Sequence, residues 1–172
     1  MKKELQKIES SEVINAEFPI EVYTDLRAFN EKIIYASPSK KWIKKNNGLE
    51  YIPIRIVETL LRSVFGTYQV EMIGQPHVIG NSVVVSVNLK VFHPLFREWL
   101  NYSGTGAVPI QLRKGTNDPL DFSKINPTAL QRNIPAAKAY AISNAAKSIG
   151  KIFGAELNNG TDEVWNLMHP EV

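Results

Sequence analysis

The sequence predicts an α+β domain in which an antiparallel sheet of three to five strands packs against helices. Three observations predict this class. Apolar residues recur at helical spacing between positions 54 and 65, alternate with polar residues from position 68 to 102, and return to helical spacing after Pro135. With 172 residues and 44% hydrophobic content, the chain is long enough to form one domain with a proper core.

The first part of the chain predicts an extension followed by a short helix. Residues 1–17 alternate Lys and Glu with few apolar residues, which indicates a loose or helical extension before a domain spanning residues 18–158. Apolar residues at helical spacing predict a short helix between positions 22 and 34. Ser37-Pro38-Ser39 is expected to end it.

A lysine-rich stretch precedes the next helix. The run from Lys40 to Lys45 alternates like a strand, and Asn46-Asn47-Gly48 predicts a turn into a second strand at residues 49–52. Pro53 suits the first position of a helix, where its missing N–H costs nothing.

The helix predicted after Pro53 is amphipathic and is expected to end at Gly66. Arg55, Glu58 and Arg62 fall on its polar side, where Glu58 and Arg62 have the spacing of a supporting ion pair. Its apolar stripe consists of Ile54, Val57, Leu60, Leu61, Val64 and Phe65.

From Tyr68 onward the period changes to two, which predicts strands. Residues 68–75 form the first, and residues 77–79 and 83–92 flank a hairpin turn at Gly80-Asn81. Every second residue from Val83 to Val91 is apolar, so these side chains share one face of the sheet. The other face is expected to be half-exposed and available for binding; it carries Val84, Ser86, Asn88 and Lys90.

The remaining chain predicts one more strand, a loop, a helix and a tail. Residues 95–102 should form a strand that ends at Gly104-Thr105-Gly106. Residues 107–135 contain four prolines among polar residues and predict a long loop. A helix is then expected from Ala136 to Phe153, ended by Gly154, followed by an acidic tail at residues 159–172.

The last helix carries two different stripes. An apolar stripe should pack on the sheet; it consists of Ile142, Ala145, Ile149, Ile152 and Phe153. A polar stripe is formed at spacings of four, three and four by Tyr140, Asn144, Lys147 and Lys151. Gly150 is expected to permit a close backbone contact.

The charge of the chain is unevenly distributed. The formal net charge is only +3, but no Lys or Arg follows Gly154, whereas the basic residues concentrate upstream, notably at positions 40–45. A segregated cationic surface is typical of a protein that binds a polyanion. An ordinary solvated, charge-balanced surface explains the same composition equally well.

Composition argues against several other classes. The chain has no cysteine, which excludes disulfides and cysteine chemistry and fits the cytoplasm. No apolar run approaches the ~20 residues that span a bilayer, and the charged N-terminus predicts no secretory signal.

The sequence also offers no pattern of catalytic or metal-binding residues. His77, His93 and His169 lie far apart, and we expect them on the surface or in loops. Gly104-Thr105-Gly106 lacks the Gly-Lys-Ser/Thr that completes a phosphate loop, and Glu71 and Glu98 are isolated, which disfavours a nuclease. We therefore expect neither an enzyme nor a cofactor or metal.

Several motifs occur together in a familiar order. The run from Ala137 to Gly154 resembles the closing helix of the Rad-fifty-two family of annealing recombinases. Tyr51-Ile52, then Arg55, then Phe65-Gly66 resembles that family's opening pattern, and the Val-rich strand followed by Gly104-Thr105-Gly106 is similar to its central strands. The resemblance covers roughly residues 33 to 158, and the length is that of the short, phage-encoded members.

The resemblance implies a β-β-β-α core that assembles into a ring or spiral and holds single-stranded DNA in a positively charged groove, backbone inward and bases outward. Lys147 and Lys151 match basic positions on the groove helix, and Arg55 lies at or beside the basic residue of the opening helix. The sequence departs from the family at Ser148, Val70 and Thr67. The family's secondary DNA site is not clearly matched, although Arg113-Lys114 is a candidate for part of it.

The resulting prediction is ATP-independent binding and annealing of complementary single strands in homologous recombination, with cations from two helices converging on one channel. Tyr68, Tyr140 and Trp42 are candidates for base stacking, although each suits a core or interface position as well. The predicted DNA-binding residues are Arg55, Lys147, Lys151, Arg62, Lys90, Tyr68, Tyr140, Lys40, Lys41, Lys44, Lys45, Arg113 and Lys114.

Expected partners are single-stranded DNA, further copies of the chain, and a partner exonuclease or a host single-strand-binding protein. For a phage-encoded member, the compartment would be the cytoplasm of a bacterial host. Two alternatives remain open: a single-strand-binding module that protects DNA or recruits a partner without annealing, and a scaffolding protein that binds no DNA.

Overall fold

The computed structural model describes residues 20–115, 118 and 121–159, and within them the chain is an α+β structure, as predicted. The predicted extension (1–17) and nearly all of the predicted tail lie outside the described residues. The helices are α1 (Ile20–Phe29, continued by a π-helical turn at Asn30–Ile34), α2 (Ile54–Phe65) and α3 (Ala129–Lys147), with 3₁₀ turns at Phe122–Lys124 and Lys151–Phe153. The strands are β1 (Lys44–Asn46), β2 (Leu49–Tyr51), β3 (Tyr68–Met72), β4 (His77–Ile79), β5 (Ser82–His93) and β6 (Glu98–Pro109).

Strand β5 is the centre of a four-stranded antiparallel sheet. It pairs with β3 and β4 along one edge and with the whole of β6 along the other. Strands β1 and β2 form a separate two-stranded hairpin. The predicted range of three to five strands is thus confirmed for the main sheet.

The two faces of β5 differ as its alternating sequence predicts. Val83, Val85, Val87, Leu89 and Val91 are buried, and α3 packs against β5 and β6. On the other face Ser86, Asn88 and Lys90 are half-buried, and the Ser86 hydroxyl lies 2.9 Å from that of Thr105. Val84 differs from its expected half-exposure, since only 8% of its surface is accessible.

The glycines of β6 lie inside the strand, so the prediction that the strand ends at them is wrong. A Cβ atom on Gly104 would overlap backbone atoms of Ala141 and Ala145, and one on Gly106 would overlap those of Ala137 and Ala141. Glycine therefore occupies these positions because α3 lies directly on the strand, where no side chain fits.

Helix α3 begins at Ala129, so the predicted loop of residues 107–135 is too long at both ends. Residues 107–109 of the predicted loop belong to β6, and residues 129–135 belong to α3. Pro135 therefore lies inside the helix. The buried Asn133 side chain donates a 2.9 Å hydrogen bond to the Pro109 carbonyl. This tertiary contact holds the first turns of the helix in place despite the N–H that Pro135 lacks.

Helix α3 also ends earlier than predicted, at Lys147 rather than Phe153. Gly150 is extended and lies so close to Ile34 that a Cβ atom would overlap it, which confirms the expected close backbone contact. The break allows the following 3₁₀ turn to bury Phe153, whose ring stacks on Phe65 at a centroid distance of 6.4 Å. As a consequence, Lys151 does not belong to α3.

The lysine-rich segment forms a hairpin that is shorter than predicted. Only Lys44 and Lys45 of the six-residue run are in β1; Lys40 and Lys41 lie in a preceding turn, where the Trp42 N–H donates to the Ser39 carbonyl. Asn47 and Gly48 both have positive φ, 50° and 81°, as the tight two-residue turn of a hairpin requires. Trp42 packs against the core, which is the structural alternative to stacking on a base.

His93 is buried at the end of β5, which corrects the expectation that the histidines lie on the surface or in loops; His77 is exposed, and His169 is outside the described residues. The His93 ring lies against Phe29 and Phe96, at centroid distances of 5.1 Å and 4.3 Å. Its Nδ1 accepts a hydrogen bond from the Phe96 N–H. Burial lowers the pKa of His93 from its ordinary value of 6.5.

A lowered pKa of His93 makes the stability of the fold depend on pH. Above about pH 6.5 the His93 imidazole is neutral in the folded and in the unfolded protein. As the pH falls below this value, the unfolded chain binds a proton first, so unfolding becomes easier. We expect urea denaturation to give a lower free energy of unfolding at pH 5 than at pH 7.5. Part of this fall should disappear in His93→Phe but persist in His77→Ala, and an equal fall in all three proteins would contradict the assignment.

No helix among the described residues is both long and apolar enough to cross a membrane.

Candidate functional site

A cleft of about 280 Å³ lies between the β1–β2 hairpin and helix α3. Its floor is apolar and consists of Ile52, Val57 and Phe153, all of them buried. Each floor residue comes from a different part of the chain: the end of the hairpin, the first turns of α2, and the 3₁₀ turn after α3. We call this feature the hairpin–helix cleft.

The hairpin wall of the cleft presents Asn46, Leu49, Glu50 and Tyr51. Asn46 is the cross-strand partner of Leu49, and Lys44 is the partner of Tyr51. Because alternate residues of a strand share a face, the Lys44 side chain lies on the same side of the hairpin as Asn46, Leu49 and Tyr51, next to the cleft. The Glu50 carboxylate forms an ion pair with Lys45 at 3.1 Å.

The helix wall presents Tyr140, Ser143, Asn144 and Lys147. Three of these residues belong to the predicted polar stripe, and the structure brings them together as the helical spacing predicts. The Asn144 side chain donates to the Thr105 carbonyl at 2.9 Å and accepts a 3.5 Å hydrogen bond from Lys147 Nζ. Tyr140 is 50% exposed and is therefore available to a ligand.

Asn158 lines the cleft and holds the hairpin by hydrogen bonds. Its side-chain amide accepts a hydrogen bond from the Glu50 N–H at 2.8 Å and donates one to the Glu50 carbonyl at 2.7 Å. The amide thus bonds β2 in the way that a neighbouring strand would. We call this pair of bonds the Asn158 clamp.

Lys151, the fourth member of the predicted polar stripe, lies apart from the other three. It follows the break at Gly150 and forms an ion pair with Glu156 at 2.7 Å. The i,i+4 relation between Lys147 and Lys151 assumed an unbroken helix, so their predicted alignment is wrong. A phosphate would have to compete with Glu156 for Lys151.

The basic residues of α2 lie outside the cleft. Arg55 and Arg62 are exposed, and neither lines the hairpin–helix cleft, to which α2 contributes the buried Val57 instead. Arg55 precedes Val57 by two residues, and its side chain therefore leaves the helix about 200° away from that of Val57. The described residues thus do not show the predicted convergence of Arg55 and Lys147 on a single channel.

Arg62 and Tyr68 interact with each other. The guanidinium lies 5.6 Å from the centre of the Tyr68 ring and donates a 3.3 Å hydrogen bond to its hydroxyl. This contact replaces the predicted ion pair between Glu58 and Arg62. Burial, and to a smaller extent the nearby Glu58 carboxylate, raise the pKa of Tyr68, whereas Arg62 opposes the shift. Because Arg62 covers one face of the ring, a base could stack only on the other.

The remaining predicted cations are spread over other surfaces. Lys90 lies on the sheet face opposite to α3 and forms an ion pair with Glu71 on β3 at 2.8 Å. Arg113 and Lys114 are exposed in the loop after β6, where the Arg113 N–H donates to the Lys124 carbonyl. Lys40 and Lys41 are exposed in the turn that precedes β1, the strand that contains Lys44.

No protein-family model matches this chain, and no curated protein matches it either. Within the part of the chain that the structure describes, no group of three or more His, Cys, Asp or Glu side chains is placed to hold a metal ion.

Sequence reasoning missed Tyr51, Asn46 and Ser143 as cleft residues. Tyr51 entered only as part of a motif, and Asn46 only as a turn residue. The signal that could have identified them is the alternation of the hairpin, which puts Lys44, Asn46, Leu49 and Tyr51 on one face. The position of the hairpin itself involves the Asn158 clamp, a contact between residues 108 positions apart.

Proposed function

We propose that the chain binds single-stranded DNA and promotes ATP-independent annealing of complementary strands in homologous recombination. The observation that carries this proposal is the hairpin–helix cleft, in which Tyr140, Asn144 and Lys147 of α3 face a hairpin rich in lysine. A cation beside exposed aromatic and amide groups suits a chain of phosphates and bases, because phosphate contacts supply affinity and aromatic rings supply stacking.

The contacts to phosphate are assigned first to Lys147, which lines the cleft, and to Lys44, the cross-strand partner of Tyr51 on the hairpin next to it. Lys40 and Lys41 extend this cationic surface along the chain before the hairpin, and Arg55 with Arg62 would add a second cationic surface on α2. Lys151 and Lys90 contribute less, because each already has a carboxylate partner. Binding of this kind tolerates any base sequence and weakens strongly with salt.

Annealing requires that many protomers hold one strand and leave its bases free to pair. We therefore propose a homo-oligomer, a ring or a spiral, that repeats the cleft along the DNA. Individually weak contacts then add up through multivalency, so a net charge of +3 per chain suffices for tight binding. A single-strand-binding module without annealing activity would bind DNA in the same cleft, and a measurement of annealing rate separates the two.

Replacing Lys147 in the cleft together with Lys44 beside it tests the proposal. In Lys44→Ala/Lys147→Ala we expect affinity for a 30-nucleotide strand to fall about tenfold at 0.1 M salt, because two phosphate contacts are lost. The slope of log affinity against log salt should become shallower by about 1.4 per protomer, since each single-strand phosphate contact contributes about 0.7. Fluorescence anisotropy measures both quantities, and strand annealing should slow in parallel.

The matched control is Lys90→Ala/Lys151→Ala, which removes the same number of positive charges from lysines that have acidic partners. Its affinity should stay within about twofold of the wild type, since the freed carboxylates lie outside the cleft. Light scattering on each protein reports whether oligomers persist. A folded Lys44→Ala/Lys147→Ala variant with an unchanged salt slope would rule out the cleft as the phosphate site.

A further inference from the structure

The hairpin–helix cleft carries two exposed tyrosines on opposite walls, above an apolar floor. Tyr51 of β2 is 38% exposed, and Tyr140 of α3 is 50% exposed. We propose that the cleft receives a single nucleobase of the bound strand, held against Tyr51 and Tyr140. This inference rests on the proposed function and adds to it, because contacts to phosphate alone would not need a site for a base.

The size of the cleft favours one base over a stack of bases. Its volume of about 280 Å³ is near the lower end of the range, about 300 Å³, in which pockets hold small organic ligands. Asn158 also lines the cleft, and its apolar lining residues Ile52, Val57 and Phe153 are buried. A flat ring can therefore enter from the open side, whereas a continuous stack of bases would not fit.

The chemistry of the floor and walls suits a planar heterocycle. Ile52, Val57 and Phe153 offer apolar contact from below, and the tyrosine rings offer stacking surfaces that accept every base. A phosphate alone would gain nothing from such a surface. The apolar lining of the cleft therefore favours a ligand that carries an aromatic ring in addition to a phosphate.

The polar groups of the cleft are placed to meet the edge of a base. Among the described residues, the Asn46 amide and the Ser143 hydroxyl have no hydrogen-bond partner, although both line the cleft. An amide and a hydroxyl each donate and accept, so they can satisfy any of the four bases. Lys147 lies one helical turn from Ser143, where it can hold the phosphate of the same nucleotide.

One captured base per protomer changes how the strand is presented. The anchored nucleotide fixes the register of the DNA on the oligomer, while the nucleotides between neighbouring clefts remain free to pair. The anchored base must leave the cleft before the duplex is complete, so its release from the cleft accompanies annealing.

The test compares an oligothymidylate with an abasic strand of the same length, which keeps the phosphates and removes the bases. For the full-length wild type, we expect the abasic strand to bind about tenfold more weakly. In Tyr140→Ala and in Tyr51→Ala/Tyr140→Ala, affinity for oligothymidylate should fall toward that of the abasic strand, whose own binding should not change. Tyr51→Phe/Tyr140→Phe should retain most of the preference, since the rings remain.

The control is Tyr35→Ala, which removes a tyrosine that is 55% exposed and lies outside the cleft; its preference should equal that of the wild type. Circular dichroism checks folding, and Tyr140→Ala alone decides the result if the double variant does not fold. Equal, salt-sensitive binding of both strands by the wild type would overturn the base site and leave the proposed function standing. Failure to bind either strand would overturn both.

Discussion

Gly106→Ala is expected to destabilise the fold by about 3 kcal/mol, the upper end of the usual cost of overpacking a core. The added methyl group would overlap backbone atoms of Ala137 and Ala141, which cannot move without displacing α3 from the sheet. Because the colliding atoms belong to a helix backbone and not to the tip of a side chain, rotamer changes cannot relieve the overlap. Gly104→Ala should behave similarly, since it meets the same helix one turn further on.

Urea denaturation followed by circular dichroism measures this effect. Ala107→Val is the matched control, because it adds bulk to the neighbouring residue of β6, which is exposed and points to the other face. The control should change the free energy of unfolding by less than about 0.5 kcal/mol. If Gly106→Ala were as stable as the control, α3 would not lie as close to β6 as described.

Phe153→Ala is expected to cost about 3–5 kcal/mol, the usual loss when a large buried side chain leaves a cavity. Phe153 is 1% exposed, stacks on Phe65 and forms part of the cleft floor. The cavity would open beneath the cleft, so the variant should also bind oligothymidylate more weakly under conditions where it remains folded.

Thermal or urea unfolding gives the stability of this variant. Leu130→Ala serves as control, because Leu130 is a large apolar residue of α3 that is 43% exposed and should cost little. A loss below about 1 kcal/mol in Phe153→Ala would contradict the burial of this ring after the break in α3. The prediction therefore tests the most unexpected part of the fold as well as its stability.

Local periodicity was sufficient to predict the elements whose structure depends on their own residues. Helix α2 has its apolar stripe, Pro53 before it and Gly66 after it, and strand β5 alternates over its full length. The ends of β6 and α3 were not predictable in this way. Gly104 and Pro135 ordinarily end an element, and each is retained inside one here because a distant part of the chain packs on it or bonds next to it.

The candidate site shows the same division. The spacing of Tyr140, Asn144 and Lys147 predicted one wall of the cleft, since side chains four and three residues apart share a helix face. The opposite wall follows from contacts between segments far apart in sequence, which single-sequence patterns do not encode. Lys151 illustrates the limit: its place in the stripe required an unbroken helix, and the burial of Phe153 after Gly150 breaks it.

The Asn158 clamp gives the hairpin–helix cleft a thermodynamic connection to the chain that follows α3. One side chain bonds both the backbone N–H and the backbone carbonyl of Glu50, so the position of the hairpin is coupled to the conformation of the segment that carries Asn158. By reciprocity, any ligand that binds more tightly when the hairpin is clamped must strengthen the clamp by the same free energy. Because Asn158 also lines the cleft, occupancy of the cleft would act on the clamp directly.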